Sequence, residues 1–219
     1  MPPSKQLLAT FQEFNFYHVI CKVIDEKKLF LNDDNRYYFL KRYHEFLNEF
    51  VDTYAYCLLD NHVHLLIKTK TEKDIIANLN HHSIETQTAT QKRFLQSACS
   101  FHELVEQQFN RLFISYALSF NKMNKIKGHL FNRPFKRLEV KDNAHLTQLF
   151  VYIHANSMKH GITKDFINYK WSSYQAILSN HPTNIKREEV LNWFGGKDRF
   201  ITAQHEMAEF YYNHPLGGE

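Results

Sequence analysis

Apolar and polar positions recur along this chain with two different periods, and the switches between them mark out seven elements. Phe16–Val23 (FYHVICKV) is rich in aromatic and β-branched residues and predicts a first strand. Asn32 or Asp33 can cap a helix running to about Phe50, in which Phe39, Tyr43, Phe46, Leu47 and Phe50 recur at helical spacing. Two β-rich runs, Thr53–Leu59 and His62–Lys68, flank the dipeptide Asp60–Asn61 and predict a hairpin. From Asp74 to about Lys122 the pattern is helical but interrupted, with the polar stretch Ser83–Gln91 expected to be a loop; Leu104, Phe109, Leu112, Phe113 and Tyr116 resume the helical period. Phe135–Val140 predicts a fourth strand. A last helix runs from Ala144 to about His160 and stops at Gly161, a residue suited to ending helices.

Strand, helix, strand, strand, helix, strand, helix is an α+β order. Its first six elements match the ferredoxin-like βαββαβ arrangement, in which helices pack on one face of an antiparallel sheet and the other face is left for a ligand. Residues 14–165 are expected to form this core. Residues 166–219 are expected to form a C-terminal helical extension, with Trp171–Tyr174 (WSSY) and helical candidates at Lys186–Trp193 and Thr202–Tyr212. No internal repeat is visible.

Composition narrows the class without naming a function. With 219 residues, 43% of them hydrophobic, the chain can bury a real core. No apolar run approaches the roughly 20 residues of a membrane span, so no membrane association is expected. The start, MPPSKQLLATFQEF, lacks the apolar stretch of a secretory leader. Three cysteines (Cys21, Cys57, Cys99) without metal-finger spacing fit a reducing compartment, and a cytoplasmic, nucleoid-associated location is the expectation. The net charge of +4 hides an asymmetry: Asn121 to Lys141 holds seven basic residues and one acid, leaving the rest of the chain net acidic. Basic charge concentrated in one segment points to a polyanion, with a merely solvated basic loop as the alternative.

Two clusters can carry chemistry. On a strand, His62 and His64 project from one face while Val63, Leu65 and Ile67 project from the other, and two neutral imidazoles side by side can bind a divalent cation. The spacing alone is weak, because chance supplies roughly one His-x-His pair in a chain with this many histidines. On the last helix, His145, Gln148, Tyr152, Asn156 and Lys159 form one stripe beside the apolar face of Leu146, Leu149, Phe150 and Ile153. Tyr152 and Asn156 are one turn apart; a tyrosine at such a rim is also an ordinary packing residue. Phe131, Trp171 and Tyr174 read as core aromatics, and Tyr54 and Tyr56 as structural support for the hairpin.

Taken in order, the YHVI-type first strand, LLDNHVHLLIK (Leu58–Lys68), GHLFNRPFKR (Gly128–Arg137), YIHANSMKHG (Tyr152–Gly161) and WSSY resemble the single-tyrosine HUH transposases, and within them the REP-associated tyrosine transposases. The resemblance spans about residues 14–175. It implies a ferredoxin-like core that binds single-stranded DNA beside a hairpin or palindromic repeat. It further implies a Mg²⁺ or Mn²⁺ ion held by His62 and His64, Asn156 completing the metal site, and Tyr152 as nucleophile forming a 5′-phosphotyrosine. Many relatives read Asn-Pro where this chain has Asn156–Ser157. Backbone contacts to DNA are expected from Lys127, Arg133, Lys136, Arg137 and Lys159, and Arg133, Lys136 and Arg137 border a strand of the sheet. A homodimer and a monomer are both compatible with the family. Two other functions share these residues: an inactive module binding structured single-stranded DNA or RNA, and a hydrolase whose metal activates water.

Overall fold

A computed structural model describes residues 7–25 and 27–213, with side chains through residue 208. Residues 1–6, where the sequence shows no leader-like stretch, and residues 214–219 lie outside the described residues. Four strands, β1 (Phe16–Lys22), β2 (Val51–Leu58), β3 (His62–Thr69) and β4 (Lys136–Glu139), form one sheet in the order β2-β3-β1-β4. Every neighbouring pair is antiparallel, with Ile20 opposite His64 and also opposite Lys136. Helix α1 (Asp33–Leu47) joins β1 to β2, and α2 (Glu72–Asn80), α3 (Ala89–Leu95) and α4 (Phe101–Asn124) lie between β3 and β4. The core is therefore the ferredoxin-like α+β fold that the pattern predicts, with α4 as its second helix.

Local chemistry fixes the helix starts. Asn32 caps α1, its side chain accepting from the Asn35 amide at 3.0 Å, with Asp33 and Asp34 in the first turn where acids suit the helix dipole. Thr88 and Ser100 open α3 and α4 with capping boxes. The Thr88 box starts α3 inside the stretch Ser83–Gln91 expected to be a loop, because the capping threonine there is followed three residues later by the glutamine that completes it. One face of the sheet, carrying Tyr17, Val19, Val63, Leu65 and Ile67, packs into an aromatic-rich core that includes Phe39 of α1 and Phe109, Phe113 and Tyr116 of α4.

The opposite face, which the sequence reading leaves open, is covered over β2 and β3, while Ile20 of β1 and Lys136 of β4 stay half-buried. Helix α5 (Asn143–Lys159) lies across β2 and β3, and His64 beneath it is completely buried. The extension packs on α5 through α8 (Lys197–Asn213); it reaches the sheet through Ser172 and Ile185, which lie just before α6 (Tyr174–Leu178) and α7 (Arg187–Phe194), and through Glu189 and Trp193 of α7. His154 of α5 is the junction: Nδ1 meets Gln204 Oε1 of α8 at 2.9 Å, and Nε2 meets Ser173 Oγ at 2.8 Å. Sequence periodicity assigns an apolar face to α5 but not which sheet face receives it, and that choice is made by the extension covering the helix from outside. Phe131, Trp171 and Tyr174 are buried packing residues, as their types predict.

Candidate metal and tyrosine site

The site forms where β3, β1 and the last two turns of α5 meet. Asp142 caps the start of α5 by accepting from the His145 amide at 2.7 Å, and the helix ends on His160, followed by Gly161 at φ +66°, a left-handed conformation that glycine adopts without strain. Between these ends, Tyr152, Asn156 and His160 recur every four residues and so share a stripe facing the sheet. His62 and His64 meet that stripe from β3. The His62 ring centroid is 4.9 Å from His64 and 4.6 Å from His160, and the Tyr152 ring lies 5.9 Å from His64.

One ring nitrogen from each of His62, His64 and His160 lies within 4.8 Å of the others. His62 Nδ1–H donates to Asn61 Oδ1 at 2.6 Å, which turns Nε2 toward the cluster. Asn156 donates its amide N–H to the Tyr152 carbonyl at 2.9 Å, while its Oδ1 is buried with no hydrogen-bond partner among the described residues. An unsatisfied buried acceptor costs roughly 1–3 kcal/mol, a debt that a cation would remove. The three imidazoles form a group able to hold a metal ion. Burial, then the neighbouring His160 and lysines, pushes the His62 pKa down to about 3. His64 is held well below the ordinary histidine value by burial and by His18 and His62. Both are neutral at pH 7, the form that binds metal.

The Tyr152 hydroxyl accepts a hydrogen bond from Lys159 Nζ at 3.0 Å, and the same ammonium lies 4.9 Å from the ring centroid. Burial lowers the Lys159 pKa. A cation at hydrogen-bond distance favours the phenolate over the phenol.

The expected DNA-binding residues separate into two groups. Lys127 and Arg133 are exposed on the segment leading into β4, and Lys136 is half-buried on the histidine face, across from Ile20. Arg137 is a correction. It lies opposite Val19, so it points to the other side of the sheet, where it is buried and ion-paired with Glu106 of α4 at 2.9 Å. Its Nε–H also donates to the Ala9 carbonyl at 2.6 Å. A strand alternates its faces, so adjacent Lys136 and Arg137 cannot serve one surface. Arg137→Ala should lower stability by about 2–4 kcal/mol in urea titrations, because it strands Glu106 and the Ala9 carbonyl. Nucleic-acid affinity of the folded variant should stay unchanged. Normal stability with weakened binding would restore Arg137 to the binding surface.

Two residues of the cluster are missed by the sequence reading. His160 continues the Tyr152–Asn156 stripe by one more turn, so the helical spacing held the signal, obscured by the helix end. His18, whose Nε2 lies 2.9 Å from His64 Nδ1, comes from another strand; no spacing in the sequence reveals a cross-strand neighbour.

No family model matches the chain, and no curated protein matches it. Among solved structures, that of a REP-associated tyrosine transposase bound to a REP hairpin is similar to it, with a TM-score of 0.49 and 12% identity, covering 80% of this chain and 86% of that one. Among the described residues, no helix is long and apolar enough to cross a membrane.

Proposed function

We propose that this chain is a DNA strand transferase of the REP-associated tyrosine transposase type. It would cleave and rejoin single-stranded DNA next to a hairpin through a covalent bond to Tyr152. The observation that carries this reading is the convergence of three histidines with a lysine-bonded tyrosine at one place in the fold, the unpartnered Asn156 oxygen lying on the same stripe of α5. The sequence motifs support it independently.

In this reading His62, His64, His160 and Asn156 hold a Mn²⁺ or Mg²⁺ ion. When bound, such an ion neutralises the non-bridging oxygens of a phosphodiester and orients it for displacement. Lys159 stabilises the phenolate of Tyr152, whose oxygen attacks phosphorus. The Tyr152 O–P bond forms as the P–O3′ bond breaks, and the proton given up by the phenol ends on the departing 3′-hydroxyl. A phosphotyrosine ester retains the energy of the broken diester, so a DNA 3′-hydroxyl can attack it, re-form a diester and release the tyrosine. Lys127, Arg133 and Lys136, with the neighbouring lysines, supply backbone contacts whose affinity falls steeply with salt.

The test is a denaturing gel of the protein with labelled single-stranded hairpin oligonucleotides in Mn²⁺, Mg²⁺ or EDTA. The expected result is an SDS-resistant protein–DNA adduct that needs the divalent ion and whose modified peptide, by mass spectrometry, carries the nucleotide on Tyr152. Metal-dependent cleavage with no adduct would mean that water is the nucleophile. Salt-sensitive binding with no cleavage across a panel of hairpins would mean a binding module.

A further inference from the structure

The histidine that reaches His64 from β1 has no part in the reading above, yet it makes a direct, buried ring-to-ring contact with a proposed ligand. His18 lies opposite Leu66 and His64 lies opposite Ile20, so the two histidines are diagonal neighbours on one face of the β1–β3 ladder. Their rings are nearly parallel, 23° apart with centroids at 5.1 Å, and His18 Nε2 sits 2.9 Å from His64 Nδ1. Both side chains are buried.

We propose that His18 is a positioning residue, fixing His64 in the tautomer and ring orientation that present Nε2 to the cation. The inference rests on the metal site proposed above. The reasoning is a proton count. Two imidazoles sharing one N···N contact place a single proton in it, so one ring donates and the other accepts. A ligating Nε2 must keep its lone pair, which puts the proton of neutral His64 on Nδ1. That N–H is the donor, and His18 Nε2 is the acceptor. His18 then carries its own proton on Nδ1. Asn61 Oδ1 does the same for His62, at 2.6 Å. The two ligands on β3 are thus each held by a separate partner, Asn61 from the hairpin turn and His18 from the neighbouring strand. Such partners fix ligand orientation and raise ligand basicity, and losing one commonly weakens metal binding 10- to 100-fold.

The test uses DNA-free, full-length protein, with Mn²⁺ affinity read by electron paramagnetic resonance of the free ion. His18→Leu fills the space and removes the acceptor; it should weaken Mn²⁺ binding 10- to 100-fold. In His18→Gln, a side-chain amide oxygen reaches the region of Nε2 and can accept from His64 Nδ1–H, so affinity should stay within a few-fold of wild type. Unchanged affinity in a folded His18→Leu protein overturns the proposal, as does an equal loss in both variants. If His18→Leu does not fold, wild-type protein loaded with Zn²⁺ as a diamagnetic probe decides the matter. Long-range ¹⁵N–¹H correlations should show His64 protonated at Nδ1 and His18 unprotonated at Nε2; the reverse overturns it. Wild-type protein that binds neither ion overturns the metal site and this proposal together. Metal affinity that follows the variants in a protein forming no DNA adduct leaves this proposal standing and removes only the strand-transfer reading.

Discussion

On the proposed function, Tyr152→Phe should abolish the covalent adduct with hairpin DNA, lower strand cleavage by at least about a thousandfold and leave binding of the same DNA nearly unchanged. The substitution deletes one oxygen atom, the only atom of that side chain able to form a bond to phosphorus. The ring itself packs edge-on to His18 and His64, at centroid distances of 6.3 and 5.9 Å, and phenylalanine keeps both contacts. The hydrogen bond lost, from Lys159 at 3.0 Å, involves a half-buried lysine, so stability should change by no more than about 1–2 kcal/mol. Metal affinity should be unaffected, since none of the proposed ligands changes. The readouts are adduct yield on a denaturing gel, hairpin affinity by fluorescence anisotropy and a urea midpoint. An adduct that persists would move the nucleophile to another residue. Free cleavage products without an adduct, retained in the variant, would assign the chemistry to water.

Acidification should destabilise this fold before its carboxylates titrate. Four buried histidines set the expectation. Burial holds His18 and His62 down to about 3 and His154 to about 4, and places His64 well below the ordinary value of 6.5. Each folded-state value is depressed, so the unfolded chain binds more protons between about pH 6.5 and pH 3–4. Stability is therefore fully present above pH 6.5 and is lost as pH falls through that window, at up to about 1.4 kcal/mol per pH unit for each histidine. Over two units the sum reaches several kcal/mol, a large share of the roughly 5–15 kcal/mol that stabilises a typical domain. Urea midpoints at pH 7.5, 6.0 and 5.0 should fall steadily. Mn²⁺ should oppose the fall, because it competes with protons for His62 and His64. His154, away from the metal ligands and bonded to Gln204 and Ser173, leaves a part of the loss that Mn²⁺ does not rescue. A midpoint flat from pH 7.5 to 5.0 would contradict the buried, neutral state of these rings.

Most of the fold is legible in the linear pattern because its determinants are local. The period-2 run at His62–Lys68, the cap at Asn32 and the terminating Gly161 act within a few residues of themselves, and the structure places β3, α1 and the end of α5 where those signals put them. The interrupted region is read less well. Thr88 caps a helix within a stretch whose polarity suggests a loop, since a polar surface helix and a loop share a composition and differ only in the cap. Arg137 shows a further limit. Its charge suggests a surface role, but its strand parity, set by pairing with Val19, turns it inward to Glu106.

The sequence by itself determined the element order, the alternation that sends His62 and His64 to one side of β3, and the helical stripe that aligns Tyr152 with Asn156. These are properties of one strand or one helix, fixed by periods of 2 and 3.6 residues. Only the tertiary structure decided that α5 covers the histidine face, that His160 closes the cluster and that His18 reaches His64. Those contacts depend on strand order, cross-strand register and the packing of the extension against α5. They join residues as far apart as His62 and His160, 98 positions along the chain, for which no local spacing holds a signal.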